Sequence, residues 1–281
     1  MLEVSKEVTV ERNITLIDRD NISERSNILA NEVRIALVYN GISHTVMLAT
    51  PEDIEAFAIG FTISERIVSN INEIKGVDIE YVENGVIVNI EITQRCFMAL
   101  KEQRRSMAGR TGCGLCGVAQ LDEAVKPIKE VPNTVNFDLG LLPDVLLKIK
   151  EFQRTYEITG ATHAAFGINL AGDVIYAHED IGRHIAMDKL IGTFSQRNAE
   201  KPAAVLLTSR ASFEMVQKAA SAGVEVLFAI SAVTALAAEV AEQSKITLVG
   251  FCRNGRATVY THPHRLQLHE APLKPALAEC E

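Results

Sequence analysis

Apolar and polar positions follow two rhythms along the chain. In the first third, short runs rich in Val, Ile and Leu come in pairs around turn dipeptides. Residues Val33 to Val38 and Ser43 to Leu48 flank Asn40-Gly41, and Val77 to Val82 and Val86 to Ile92 flank Asn84-Gly85. Asn-Gly supplies the left-handed backbone that a tight hairpin needs, so two hairpins are expected. Between them, Thr50-Pro51-Glu52-Asp53 offers a cap, an early proline and acids ahead of a helix through about Arg66. A short helix from about Phe97 to Ser106 then leads into a glycine-rich loop.

Residues 124–137 carry two prolines and little periodicity and read as a linker. The second rhythm follows it. A helix near Leu141 to Phe152 precedes a hairpin, Ala164 to Leu170 and Asp173 to His178, turning at Ala171-Gly172. After a helix from Ile181 to Phe194, strands and helices alternate: strand Ala203 to Thr208, helix Ser212 to Ala222, strand Val224 to Ile230, helix Thr234 to Gln243, strand Ile246 to Phe251. A last strand, Ala257 to Thr261, closes the series. Such alternation predicts an α/β fold, a three-layer sandwich with parallel strands at its centre, over 138–281. Residues 1–123 form a smaller β-rich α+β region ending in the glycine-rich loop.

Composition narrows the function classes. Of 281 residues, 47% are hydrophobic and 23% charged, as in a globular protein with a substantial core. A net charge of -8 argues against a general nucleic-acid binder. No basic-then-apolar leader opens the sequence, and the longest apolar stretch, Val226 to Ala238, is too short and too interrupted to span a bilayer. Five cysteines, at 96, 113, 116, 252 and 280, suit free thiols in a cytoplasmic protein.

Two of them, Cys113 and Cys116, lie in GRTGCGLCG (109–117). Thiols two residues apart can reach one electrophile, one metal or each other. Arg104, Arg105 and Arg110 stand nearby in sequence and favour thiolate, the form that accepts or attacks sulfur. On residues alone a sulfur relay, a dithiol redox pair, a zinc site and two buried structural cysteines all stay open. Zinc lacks a second CxxC or a close His pair, so no metal is expected.

Although the chain is acidic, its basic residues gather where predicted strands meet helices or turns. HEDIGRHIAMDK (178–189) holds Asp180, Arg183 and His184; SRASFEMVQK (209–218) holds Ser209, Arg210 and Ser212. FCRNGRATVYTHPHR (251–265) holds Arg253, Arg256 and Arg265, with a turn at Asn254-Gly255. Open α/β sheets bind ligands beyond the carboxyl ends of their strands, where helix N-termini offer N–H groups to anions. One such joint is as readily a helix cap or a solvated arginine; three in one sheet point to a phosphate-bearing ligand. No GxGxxG or GxxxxGK[ST] is present. His163, in TGATHAAFGI, reads as a structural histidine opening a strand.

Together GRTGCGLCGVAQL, TGATHAA, HEDIGRHIAMDKLIG, SRASFEMVQKAASAGVEVLFAISA, LVGFCRNGRATVYTHPHRL and TPEDIEAFAIGFTISERIV resemble the FdhD family, the formate dehydrogenase accessory sulfurtransferases. That resemblance implies a protein that takes persulfide sulfur from a cysteine desulfurase. The sulfur goes to a molybdenum cofactor built on two pterin guanine dinucleotides, destined for formate dehydrogenase. By position Cys113 matches the persulfide carrier and Cys116 its partner. Phe251, Cys252, Arg253, Asn254, Gly255 and Arg256 match the cofactor-binding segment, to which the basic joints add Ser209, Arg210 and His184. A guanine nucleotide is expected to stand in for the cofactor, and a homodimer is expected. The family's second half resembles the cytidine deaminase fold, whose zinc enzymes carry His-x-Glu and Pro-Cys-x-x-Cys. Here His163-Ala164-Ala165 lacks the glutamate and Ser209-Arg210-Ala211-Ser212 replaces the cysteines, so deaminase chemistry is not implied. Two departures stand out: Thr111-Gly112 where serines often precede the first cysteine, and Ile185 where asparagine often follows the histidine.

Overall fold

The structure is a computed structural model that describes residues 6–19, 21–108 (backbone only for 103–108), 129–253 and 255–268. The glycine-rich loop, with Cys113 and Cys116, and Asn254 lie outside the described residues.

Both Asn-Gly hairpins form. Strands β3 (Val33–Tyr39) and β4 (Ile42–Ala49) pair antiparallel, as do β5 (Ile74–Val82) and β6 (Gly85–Ile92). The hairpins join through a parallel β3–β6 contact, giving a four-stranded sheet of order β4-β3-β6-β5. Alternate residues of β3 (Val33, Ile35, Leu37, Tyr39) are buried, the period of a strand with one face on a core. Helix α1 (Ile54–Ser64) covers that face, and α2 (Gln94–Ala108) runs toward the cysteine loop.

Ahead of this sheet, β1 (Thr9–Asp18) and β2 (Asn21–Ala30) form a long antiparallel ribbon that the pattern of apolar positions does not announce. Most of its residues are exposed on both sides, so neither strand needs an apolar-polar alternation.

The second half builds a six-stranded sheet of order β13-β12-β11-β10-β8-β9. Its centre is parallel: β10 (Ala204–Leu207), β11 (Val226–Ala229) and β12 (Thr247–Arg253), all but the tip of β12 deeply buried. The hairpin of β8 (His163–Ile168) and β9 (Val174–Asp180) adds antiparallel to β10, and β13 (Arg256–Thr261) antiparallel to β12. Helices α5 (Arg183–Phe194), α6 (Phe213–Ser221) and α7 (Ala235–Ser244) pack into the core that the large sheet shares with α1 and the four-stranded sheet. The other face is covered by α3 (Leu142–Lys148), with 3-10 turns at both ends, around Phe137, Phe166 and Phe228. Two further elements escape the sequence pattern because distant groups hold them. A short helix, α4 (Arg154–Thr159), has its first N–H groups, on Thr155 and Tyr156, accepted by the Glu179 carboxylate. A two-residue pair joins β7 (Phe137–Asp138) to β14 (Leu266–Gln267).

Residues 131–135, within the expected linker, are pinned to the large sheet. Buried Glu225 accepts from the N–H groups of Thr134 and Val135 and pairs with the buried Arg265 at 3.3 Å, while Arg265 also donates to the Pro132 carbonyl.

The tightest packing lies between the halves. Helix α1 is apolar around nearly its whole circumference, the mark of a helix with no solvent face. It meets α5 with backbone against backbone: a Cβ on Gly60 would fall 1.7 Å from the Asp188 carbonyl oxygen, and one on Gly192 1.8 Å from that of Ala56. Under this crossing Lys218 of α6 donates to both Asp188 carboxylate oxygens at 2.9 Å, to Glu65 at 3.0 Å and to the Ser64 hydroxyl at 2.9 Å. Burial opposes charge on Lys218, but Asp188 and Glu65 outweigh it and hold the pKa above the ordinary lysine range.

Gly60→Ala should therefore lower the unfolding free energy by roughly 2–3 kcal/mol or more, since neither backbone can retreat. Urea denaturation measures this directly. A variant as stable as the parent would show that the helices do not approach this closely.

Candidate functional site

The registers of the large sheet gather the basic joints at one edge. Strands β10, β11 and β12 run parallel, so all three carboxyl ends face the same way. Because β8 runs against β10, with Leu207 opposite Ala165, its first residue, His163, lies at that edge. His163 is in turn opposite Asp180, which brings the end of β9 and the start of α5 there. Arg253 is opposite Arg256, which adds the β12–β13 turn. Segments 180–184, 208–212 and 251–256, far apart in sequence, thus share the edge where an open α/β sheet binds ligands.

Their local geometries differ. Ser209 is buried and its hydroxyl donates to the Arg210 carbonyl at 3.1 Å, while Arg210 is exposed. The cap of α6 is Ser212, whose Oγ is out of solvent's reach and has no hydrogen-bond partner among the described residues; the same holds for Nε of Arg183 in the first turn of α5. His184 bridges the two helix starts, with Nε2 2.7 Å from Glu214 of α6. Burial, and then the positive charge of Arg183, push the pKa of His163 down. Two helix N-termini, an arginine and a neutral-leaning imidazole therefore meet at the edge, a combination suited to an anion. Ile185, at the position where asparagine is usual, is buried and packs against Gly182, so no side-chain hydrogen bond issues from it.

Asp180 does not face a ligand. It is fully buried, pairs with the fully buried Lys189 at 2.9 Å and accepts from the Gly182 N–H at 3.0 Å. Nothing local in the sequence marks this pair: Lys189 stands nine residues after Asp180, between Asp188, which pairs with Lys218 instead, and the apolar Leu190.

At the β12–β13 turn the backbone is strained. Phe251 has φ of 53°, unusual for a bulky residue, within a bulge between Gly250 and Arg253, and its N–H donates to the Ser231 carbonyl at 3.0 Å. Phe251 is 36% exposed, with the Arg253 guanidinium 5.9 Å from the centre of its ring. A cavity of about 240 Å³ at the same turn is lined by Arg253, Gly255 and Arg256 together with Leu142, Leu146 and Lys150; Phe251 does not line it. Arginines and an apolar wall in one cavity, with an exposed ring on the same turn, suit a heteroaromatic ligand carrying phosphate. That cavity takes in the third joint; Ser209, Arg210 and His184 share the edge but do not line it.

Cys252 contributes no reactive thiol. Its side chain is fully buried, 3.8 Å from the Val249 carbonyl, and burial pushes its pKa up to about 12. Cys96, in the first turn of α2, is also buried. Among the described residues no three His, Cys, Asp or Glu side chains gather as a metal site, and no helix is long and apolar enough to cross a membrane.

Comparison with known proteins follows the same outline. The model of the FdhD/NarQ family matches residues 30–267. The chain is 63% identical over 274 residues to the "Sulfur carrier protein FdhD" of Shewanella oneidensis, covering 97% of this chain and 99% of that one. A crystal structure from Desulfotalea psychrophila, described as a candidate formate dehydrogenase accessory protein, superposes with a TM-score of 0.70 at 20% identity. It covers 93% of this chain and all of that one, which shows a shared fold.

With its pKa raised, Cys252 stays a thiol at pH 8. Brief alkylation of the folded protein at that pH should leave Cys252 unmodified, and denaturant should expose it, as peptide mass spectrometry will read. Labelling of Cys252 in the native state would contradict its burial.

Proposed function

Because the chain belongs to the FdhD/NarQ family, we propose that it carries sulfur for a formate dehydrogenase, taking it from a cysteine desulfurase and handing it to a molybdenum cofactor of two pterin guanine dinucleotides. Cys113 thiolate attacks the outer sulfur of the desulfurase persulfide. One S–S bond forms as another breaks, the desulfurase cysteine leaves as thiolate, and Cys113 holds the persulfide. Attack by Cys116 on the inner sulfur then gives a Cys113–Cys116 disulfide and releases sulfide to the acceptor; a dithiol reductant reopens the disulfide.

The observation that carries the acceptor half of this reading is the 240 Å³ cavity lined by Arg253 and Arg256, with the strained, exposed Phe251 on the same turn. Phe251 offers a face for a pterin or guanine ring, and the arginines suit the dinucleotide phosphates. Ser209, Arg210 and His184 stand along the same edge, where a ligand with two dinucleotide arms extends beyond one cavity. The cofactor is cargo here, and the residues of the edge bind and orient it.

The reading of the second half as deaminase-like rests on helices covering both faces of a sheet with a parallel centre. It also draws on the edge position of His163, His184 and the Ser209–Ser212 segment, near which a zinc deaminase would need its ligands. Serines in place of cysteines leave a surface for an anion where a metal would sit.

Cys113→Ala should fold normally yet fail to activate formate dehydrogenase in cells. After incubation with a desulfurase and cysteine, the parent should gain the mass of one sulfur atom on the Cys113 peptide. A mass change confined to loss of two hydrogens would favour a dithiol oxidoreductase instead.

Arg256→Ala should weaken GDP binding by roughly 1.5–3 kcal/mol, the range for a charge-assisted hydrogen bond. Calorimetry decides it, and equal affinity would move the phosphate site away from this turn.

A further inference from the structure

Residues 50–53 lie just before α1, in the first half of the chain. Their polar groups form two rungs that reach across to β9 and α5. In the first, the N–H and hydroxyl of Thr50 both donate to Asp180 Oδ2 at 2.9 Å, and Lys189 Nζ donates to Thr50 Oγ1 at 2.6 Å. In the second, Asp53 Oδ2 lies 2.8 Å from His178 Nδ1, and Thr193 Oγ1 lies 2.9 Å from His178 Nε2. The spacing explains the ladder. Residues 178 and 180 share one face of a strand, and residues 189 and 193 share one face of a helix, so each rung ties the same three elements.

The first rung is dry. Asp180 and Lys189 are wholly buried, and Thr50 is 1% exposed. Neither charge has water to fall back on, so the Thr50 hydroxyl, accepting from one and donating to the other, fixes where both sit. Asp180 passes that position on. Its second oxygen accepts from the Gly182 N–H at 3.0 Å, immediately before the α5 turn that carries Arg183 and His184. The second rung uses Asp53 in an unusual way: it caps α1 in a left-handed conformation, φ 54°, and its carbonyl accepts from the Phe57 N–H, but its carboxylate bonds no α1 N–H and is turned to His178. The hydrogen bond to His178 holds the Asp53 pKa below the ordinary aspartate range, so its carboxylate is charged at neutral pH.

We infer that Thr50 is a positioning residue for the anion-binding edge: through Asp180 and Lys189 it sets the start of α5, and with it Arg183 and His184. This rests on the placement of the anionic ligand under the proposed function. The ladder lets the first half of the chain, which carries the thiol pair, determine the geometry of the edge in the second half.

Thr50→Val keeps the volume and the backbone N–H and removes only the hydroxyl; Asp180 and Lys189 still face each other. It should weaken GDP binding about tenfold, the equivalent of one hydrogen bond near charged groups. The melting temperature should fall by no more than about 4 °C. Thr50→Ser should restore affinity. Hydrogen exchange of the Ile185 and Ala186 amides, which bond the Gly182 carbonyl, should quicken about tenfold in Thr50→Val without ligand. Arg183→Ala separates this inference from the reading beneath it. If Arg183→Ala weakens GDP binding and Thr50→Val does not, Thr50 positions nothing. If neither weakens it, the anion does not lie at α5, and both the placement and the inference fall.

Discussion

Helix α1 lies against α5 at a distance that only glycine permits, and much of the molecule's geometry descends from that crossing. With Gly60 and Gly192 facing carbonyl oxygens of the partner helix, the two axes cannot slide or rotate without a backbone clash. The apolar residues of α1, among them Phe57, Ala58 and Phe61, are then committed to the interface, each large one contributing about 1.5–3 kcal/mol by its burial. The crossing also dictates what the polar groups beside it must do. Ser64, Asp188 and Lys218 lie in a dry place and must satisfy one another there. Such buried charges are poor evidence for stability, since desolvation offsets most of their attraction. They do penalise every arrangement in which the partners are misaligned, so they specify how the halves meet.

That specification matters because the proposed ligand edge is assembled from pieces with no sequence proximity. The carboxyl ends of β10, β11 and β12 come together by strand order alone, but the direction of the α5 start depends on what holds α5. On one side it packs on the sheet; on the other it is held by α1, through the glycine crossing and the two polar rungs. The β12–β13 turn reaches its geometry differently, by a local bulge with Phe251 in a costly conformation that its hydrogen bond to Ser231 maintains. One end of the edge is set by long-range packing and the other by local strain, consistent with a ligand large enough to need both.

The same division explains what could be read from the sequence. Hairpins at Asn40-Gly41 and Asn84-Gly85 and the alternation after residue 200 were legible because their signals are local: turn dipeptides, period-two strands, apolar runs between polar helix starts. The ribbon at 9–30 gave no signal because it buries neither face. Helix α4 gave none because its cap is a glutamate more than twenty residues away. The gathering of Arg183, Ser209 and Arg253 at one edge was legible in kind, from strand-to-helix joints. Asp180 shows the limit: as a carboxylate beside an arginine and a histidine it reads as part of a site, yet the structure gives it to Lys189 and Thr50. Whether a charged group faces a ligand or the core depends on its long-range partner, and that partner is not visible in a local window.

Burial also sorts the cysteines. A thiol takes up or passes on sulfur as a thiolate, and Cys252, beside the proposed cofactor cavity, is denied that form by a dry environment that drives its pKa far above neutral. Cys96 is buried at the base of the helix leading to the cysteine loop. Under the proposed relay, sulfur chemistry falls to positions 113, 116 and 280, of which only the first two stand close enough in sequence for one thiol to resolve a persulfide held by the other. A reactive thiolate at 252 would compete for the same sulfur at the acceptor. Keeping that residue a protonated, buried packing element lets the cavity wall be lined by a cysteine without opening a second, uncontrolled route for the sulfur.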